Sequence, residues 1–179
     1  MNKIIKVTTY VLFSIIGIGL IIFALGFRVN PTDSIPKGLY RLSSSHELKN
    51  AFVLLCPDDR EIFKIALNRG YFEVGHCPSG SEALMKKVVA VEGDHVDSTI
   101  SGVSVNGKKL PFSAPKVEDE LRQSLPGWNA FNYVLKKNEL VTMTTQSEWS
   151  FDSRYYGLIN LGQIKGVVTP IWVKKGVQA

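Results

Sequence analysis

Residues 30–40 read Asn-Pro-Thr-Asp-Ser-Ile-Pro-Lys-Gly-Leu-Tyr and follow directly on a long apolar run. Ser34 lies between two prolines, Pro31 and Pro36. Each proline fixes its own φ angle and disfavours helical geometry at the preceding residue, so the segment is expected to be stiff and extended. A hydroxyl on such a segment is a candidate nucleophile, because a catalytic serine must be aimed as well as activated. A proline-rich linker after a membrane helix is the alternative, and a base elsewhere in the chain decides between them.

The apolar run covers residues 7–27, which contain no charged side chain; Lys3 and Lys6 precede it and Arg28 follows it. A span of about 20 apolar residues crosses a bilayer, whereas the apolar part of a cleavable signal peptide is usually only about 7–15 residues long. We therefore expect residues 1–28 to be an uncleaved membrane anchor and residues 29–179 to be an exported domain. Residues 24–26, Ala-Leu-Gly, imitate a small-residue cleavage site, so a removed signal peptide is the alternative.

The charge of the chain indicates which molecules it is expected to contact, and its cysteines indicate whether a disulfide is expected. The net charge is +5 and the basic residues are scattered, which favours an anionic lipid surface as a neighbour over nucleic acid. Cys56 and Cys77 each precede a proline, and an even number of cysteines in an exported domain predicts a disulfide. A metal site using both cysteines and His76 is the weaker alternative, because the spacing is not that of a metal motif. We expect neither a cofactor nor a metal.

A candidate base lies in residues 82–96, where Lys86 and Lys87 precede a β-branched run and a Gly-Asp turn. This pattern predicts a strand, in which adjacent side chains face opposite ways, so one lysine can point inward while the other meets solvent. Burial lowers the pKa of a lysine and allows it to act as a base near neutral pH. Two solvated lysines on an edge strand are the alternative interpretation.

Three separated blocks resemble the signal peptidase I family, whose members use a Ser/Lys dyad. They are Pro-Thr-Asp-Ser-Ile-Pro around Ser34, Met-Lys-Lys-Val-Val-Ala-Val-Glu-Gly-Asp around Lys86, and Ser-Phe-Asp-Ser-Arg-Tyr at residues 150–155. The Ser-x-Pro-x-Gly-x-Tyr form and the Cys-Pro pair resemble the conjugative-transfer branch, the TraF-like peptidases that process pilin precursors. Residues 143–146, Met-Thr-Thr-Gln, depart from the Gly-Asp-Asn-Arg sequence of the housekeeping enzymes.

The resemblance implies a mainly β fold, a coiled antiparallel sheet with one N-terminal transmembrane helix. It implies that Ser34 is the nucleophile and Lys86 its base, with the Ser34 backbone N–H and the Thr32 hydroxyl stabilising the oxyanion. Its other implied site residues are Ser150, which orients the lysine, Asp152 and Arg154, which brace the site, and a pocket for a small residue before the cut formed by Pro31, Ile35, Leu84 and Met85.

The implied function is cleavage, with or without cyclisation, of a pilin precursor of a conjugative type IV secretion system, at the periplasmic face of a bacterial inner membrane. The partners are then a precursor protein and membrane lipid, with no nucleic acid. The alternatives are a general signal peptidase I, which removes signal peptides from exported proteins, and an inactive membrane-tethered scaffold. A Ser-His-Asp triad using Asp94 and His95 is disfavoured, because sequence neighbours in a turn do not face each other. A self-cleaving repressor would lack the anchor.

Other patterns predict the rest of the domain. Residues 58–70 predict a short helix, and residues 103–110 predict a hairpin with an Asn-Gly type I′ turn. Residues 141–145 and 167–173 predict strands. The polar stretch at about 115–137 is expected to be an insertion that varies within the family.

Overall fold

In the computed structural model, which describes residues 3–174, the chain begins with a long exposed helix, α1 (Lys3–Ala24). None of its residues is buried, and the helix is long and apolar enough to cross a membrane. Gly26 ends the helical segment with a positive φ of 86°. The chain enters the sheet at once, since the Leu42 N–H donates to the Gly26 carbonyl at 2.9 Å. The predicted apolar helix is therefore joined directly to the β domain.

The rest of the described chain is mainly β, as predicted, and every strand pairing is antiparallel. The strands of the larger sheet are, in spatial order, β1 (Phe27–Asn30), β2 (Gly38–Ser43), β11 (Ile164–Val173), β3 (Phe52–Leu55), β4 (Leu84–Ala90), β9 (Glu139–Thr142) and β10 (Ile159–Asn160). Those of the smaller sheet are β7 (Lys108–Lys109), β6 (Gly102–Val105), β5 (His95–Thr99) and β8 (Ala130–Val134).

The core follows from the alternation of side chains along these strands. Val53 and Val88 on β3 and β4 pack with Phe63 of the short helix α2 (Glu61–Asn68). A second group, which includes Val96 and Val141, joins the two sheets. All five of these side chains are fully buried, so the middle strands of the larger sheet are fixed by packing as well as by hydrogen bonds. The predicted helix at residues 58–70 is confirmed, with its bounds shortened at both ends.

The two cysteines are joined in a disulfide, Cys56–Cys77, as predicted. The bond ties the end of β3 to the segment that leads into β4. The alternative metal site with His76 is thereby wrong, because neither thiol is available as a ligand, and His76 is exposed.

The predicted hairpin at residues 103–110 is confirmed as β6 and β7, and Asn106 and Gly107 both have positive φ angles, as a type I′ turn requires. Within the stretch at 115–137, Ala130–Val134 forms strand β8 and pairs with β5, a strand that the sequence did not predict. Two short helical segments follow, α3 (Ser153–Tyr156) and a 3-10 turn (Leu161–Gln163).

Candidate active site

Ser34 lies in the loop of the β1–β2 hairpin, which is closed by the pairing of Asn30 with Gly38. The buried side chain of Asn30, only 4% exposed, organises this loop. Its Nδ2 donates to the carbonyls of Thr32 at 2.9 Å, Ile35 at 2.8 Å and Pro36 at 3.3 Å. One amide group therefore holds the backbone on both sides of Ser34, which is the stiff, aimed segment that the two prolines predicted.

The other end of the same amide holds Thr32. Asn30 Oδ1 accepts from the Thr32 N–H at 3.3 Å and from the Thr32 hydroxyl at 2.8 Å. The Pro36 carbonyl has a second donor, the hydroxyl of the buried Tyr40, at 2.6 Å. No role for Asn30 or Tyr40 was expected from the sequence. The one available signal was the position of Asn30 immediately before a proline turn, where asparagine commonly bonds to nearby backbone groups.

Lys86 is 4% exposed on β4, whereas its neighbour Lys87 is half-buried on the other face, as the strand pattern predicted. Lys86 Nζ donates to Ser34 Oγ at 2.8 Å and to Ser150 Oγ at 2.9 Å. Burial lowers the pKa of Lys86 from its ordinary value of 10.5 to about 8, against a smaller opposing effect of the Asp152 carboxylate. A useful fraction of the lysine is therefore neutral, and able to accept a proton, at mildly alkaline pH.

Ser150 is fixed by a buried ion pair behind it. Arg154 and Asp152 are both fully buried, and two hydrogen bonds join them, Nε to Oδ1 at 2.8 Å and Nη2 to Oδ2 at 2.9 Å. Arg154 Nη2 also donates to the carbonyls of Ser150 at 2.9 Å and Ser147 at 3.2 Å. The guanidinium thus sets the backbone that presents the Ser150 hydroxyl to Lys86.

An open cleft of about 850 Å³ runs past Ser34, Lys86 and Ser150. Of the residues expected to form the pocket for a small side chain, Pro31, Leu84 and Met85 line this cleft. Ile35 does not. It is 1% exposed and packs with Tyr40, Leu54 and Val168, because a large apolar side chain is stabilised by leaving water.

The histidine alternative is wrong. His95 is exposed, and its Nδ1 lies 3.3 Å from Asn132 Oδ1. The Asp94 carboxylate instead binds Lys49 Nζ at 2.6 Å and Asn106 Nδ2 at 2.8 Å. Within residues 3–174, no group of three or more His, Cys, Asp or Glu side chains could hold a metal ion.

A family model described as signal peptidase, peptidase S26, matches residues 1–173. The chain belongs to this family. As a member of the signal peptidase family it is a peptidase, with a protein as its substrate.

Among its relatives, a plasmid transfer protein TraF from Escherichia coli is 44% identical over 149 residues, which is 83% of this chain and 84% of that protein. A probable conjugal transfer protein TraF from Sinorhizobium fredii is 31% identical over 148 residues, covering 82% of this chain and 77% of the relative. The resemblance to the TraF-like branch of the family is therefore confirmed.

A solved structure of a signal peptidase I from Enterococcus faecalis aligns with 71% of this chain and 100% of its own. The two share 14% sequence identity and a TM-score of 0.39.

Proposed function

We propose that this member of the signal peptidase family is a membrane-anchored serine endopeptidase in which Ser34 and Lys86 form the catalytic dyad. The observation that supports this most directly is the 2.8 Å contact between Lys86 Nζ and Ser34 Oγ. The lysine is buried and its pKa is lowered to about 8, as a general base requires.

In the proposed reaction Ser34 Oγ attacks the carbonyl carbon of the scissile bond while its proton passes to the neutral amine of Lys86. The C–N bond then breaks, and the protonated Lys86 gives a proton to the leaving amine, which produces an acyl-enzyme. Lys86 next takes a proton from water, which attacks the ester carbonyl; the ester C–O bond then breaks, and Lys86 returns the proton to Ser34 Oγ. If the amine of the same pilin chain attacks in place of water, the product is cyclic.

The developing oxyanion needs hydrogen-bond donors, and we assign the Ser34 backbone N–H and the Thr32 hydroxyl to this role. The Thr32 hydroxyl bonds to Asn30 Oδ1 at 2.8 Å, so its proton must turn from the amide toward the oxyanion when substrate arrives. Losing one donor of this kind typically raises the barrier by about 3–4 kcal/mol. Ser150, braced by Asp152 and Arg154, keeps the Lys86 amine directed at Ser34 through its 2.9 Å hydrogen bond.

The cleft suits an extended peptide with a small residue before the cut. β1 is an edge strand of the larger sheet, so the backbone groups on its outer side are free to pair with a peptide strand. Residues 29–31 and 82–85 line the cleft on the way to Ser34. We assign the side chain before the cut to the part of the cleft lined by Pro31, Leu84 and Met85, and we expect alanine or glycine there.

We place the catalytic domain at the periplasmic surface of the inner membrane, with α1 as a single-pass anchor. Only residues 28–33 separate Ser34 from the apolar segment, a reach of about 25 Å even when fully extended. Val29, Leu39 and Trp172 pair in one row across β1, β2 and β11, and Val29 and Trp172 are exposed. This outward apolar row continues from the anchor and suits contact with lipid.

The proposed substrate is a pilin precursor of a conjugative transfer system, because the relatives at 44% and 31% identity are described as plasmid or conjugal transfer proteins. Family membership alone equally fits a general signal peptidase. Co-expression of the full chain with pilin and secretory precursors distinguishes the two, since processing of secretory precursors alone would favour the general enzyme.

The same co-expression assay tests the dyad, with mass spectrometry used to detect cleavage of the precursor. We expect Ser34→Ala and Lys86→Ala to abolish processing while His95→Ala, the matched control, leaves it unchanged. A precursor with Ala→Trp immediately before the cut should not be processed. Near wild-type turnover by folded Lys86→Ala would refute the dyad, and no cleavage of any precursor by the wild type would favour the scaffold interpretation.

A further inference from the structure

The segment between β7 and β8 contains a loop of defined shape, residues 116–125, which we call the cleft loop. The Asp119 N–H donates to the Gln123 carbonyl at 2.9 Å, and the Leu125 N–H donates to the Val117 carbonyl at 2.8 Å. Asp119 Oδ1 also accepts from the backbone N–H groups of Leu121 and Gln123, at 2.9 and 2.8 Å. These bonds fold the loop on itself as a narrow hairpin.

On one side the cleft loop is attached to the end of α2. The Asp119 carboxylate accepts a hydrogen bond from the Tyr71 hydroxyl and lies 3.6 Å from Arg69 Nη1. Arg69 Nη1 also donates to the Ser124 carbonyl at 2.9 Å. A carboxylate, a guanidinium and a phenol therefore hold the loop on this wall of the cleft.

On the other side the loop is attached to the segment that presents Ser150. Lys116 Nζ pairs with Glu148 at 2.9 Å and lies 4.4 Å from the centre of the Trp149 ring. The Lys116 N–H donates to the Tyr155 hydroxyl at 3.0 Å. The cleft loop therefore bridges the two walls of the cleft that contains Ser34 and Lys86.

One wall of the cleft next to this bridge is aromatic. Phe151 lies between Tyr71, at 5.3 Å between ring centres, and Tyr155, at 5.6 Å and stacked. Leu121 of the cleft loop and Trp149 also line the cleft and are 72% and 52% exposed. Large apolar side chains exposed in a cleft are typical of ligand-binding sites, because their apolar surface is stabilised when a ligand covers it.

We propose that the cleft loop and this aromatic wall form a second substrate subsite, which takes a bulky apolar side chain of the precursor away from the scissile bond. The occupant is part of the same peptide, because the aromatic wall and Ser34 line one continuous cleft. The inference rests on the proposed peptidase function. Under this proposal two parts of the cleft recognise the precursor. The small pocket beside Ser34 excludes bulky side chains, and the wider subsite favours a bulky side chain at another position of the peptide.

The test uses the full-length enzyme and short fluorogenic peptides that have alanine before the cut and small residues elsewhere. Phenylalanine is introduced at one position at a time, and kcat/KM is compared with that of the all-small peptide. We expect phenylalanine at a position distant from the cut to raise kcat/KM about tenfold, the effect of burying one large apolar side chain.

The same ratio is then measured in two variants. Leu121→Ser should reduce the ratio of kcat/KM between the phenylalanine peptide and the all-small peptide to near one. Ile100→Ser, the control, alters an 88% exposed residue in the β5–β6 turn and should leave this ratio near ten. The subsite is wrong if phenylalanine helps at no position, or if its effect survives Leu121→Ser. Failure of the wild type to cleave any of the peptides would instead overturn the proposed peptidase function.

Discussion

Replacing Lys86 with methionine is expected to make the protein inactive and, at neutral pH, more stable. Lys86 is 4% exposed, and burial lowers its pKa from 10.5 to about 8. Methionine has a similar length and no charge, so it fills the same space without requiring an ammonium to leave water. The substitution removes the proposed base, and it also removes the free-energy cost of burying a charged ammonium group.

The magnitude follows from the pKa difference. Each factor of ten in proton affinity is about 1.4 kcal/mol, so a fall from 10.5 to about 8 corresponds to about 3 kcal/mol of destabilisation when the lysine is charged in both states. The variant also loses the two hydrogen bonds from Lys86 Nζ to Ser34 and Ser150, at about 1 kcal/mol each. A net gain of about 1 kcal/mol is therefore expected at pH 7.

The difference in unfolding free energy between Lys86→Met and wild type should depend on pH. Below pH 8 both the native and the unfolded lysine are protonated, so the full penalty is present. Between about pH 8 and pH 10.5 the unfolded state binds more protons than the native state, so the wild type gains stability as pH rises. Above this range the lysine is neutral in both states, and the lost hydrogen bonds should leave the variant the less stable protein.

The measurement is urea unfolding of the full chain in detergent micelles, followed by tryptophan fluorescence at pH 7 and pH 10.5. Lys87→Met, one residue further along the same strand and on its other face, is the matched control and should show no such reversal. A free-energy difference between Lys86→Met and wild type that is the same at both pH values would refute the reasoning. A less stable Lys86→Met protein at pH 7 would refute it as well.

Three further predictions concern the rate of cleavage, the β1–β2 loop that contains Ser34, and the disulfide. Cleavage should rise about tenfold per pH unit up to an apparent pKa near 8 and then level off, because the base must be neutral, as a pH profile of kcat would show. Asn30→Ala should lower kcat by up to about 100-fold with a small effect on KM, since it frees the backbone on both sides of Ser34, as steady-state kinetics would show. Reduction of Cys56–Cys77 should lower the unfolding free energy by about 3 kcal/mol, measured by urea titration with and without reductant.

Each of these has a result that would contradict it. A flat rate profile from pH 5 to 10 would argue against a neutral lysine base. A rise in KM without a fall in kcat in Asn30→Ala would assign Asn30 to substrate binding and not to positioning. Rapid alkylation of both cysteines under native, non-reducing conditions would show that the disulfide is absent in solution.

The parts of the site that were predictable are those set by local pattern. The inward position of Lys86 follows from the two-residue period of a strand, and the stiff setting of Ser34 follows from its flanking prolines. The same is true of the Asn106-Gly107 turn, because only a few residue types accept positive φ at both positions.

What could not be predicted depends on contacts between distant or irregular segments. Ile35 was expected beside the substrate, but the direction of a loop side chain depends on its tertiary contacts, which no periodicity reveals. The pairing of Asp119 with Arg69 joins residues 50 positions apart in the chain. Strand β8 was missed because Pro126 and Gly127 precede it and its sequence lacks clear alternation.

The strand order of the larger sheet has a consequence for when the site can exist. β2, which follows the Ser34 loop, and β4, which contains Lys86, are separated by β11 and β3. In a flat sheet the two would lie about 14 Å apart, so the sheet must curl to bring the hydroxyl and the amine into contact.

One of the two intervening strands, β11, is synthesised long after Ser34 and Lys86. Until residues 164–173 have emerged and inserted between β2 and β3, there is no continuous sheet to curl, and the two reactive groups belong to separate pieces of chain. We therefore expect the nascent chain to be inactive up to that point. The proposed dyad can therefore form only after β11 has joined the sheet, so the order of synthesis itself delays cleavage.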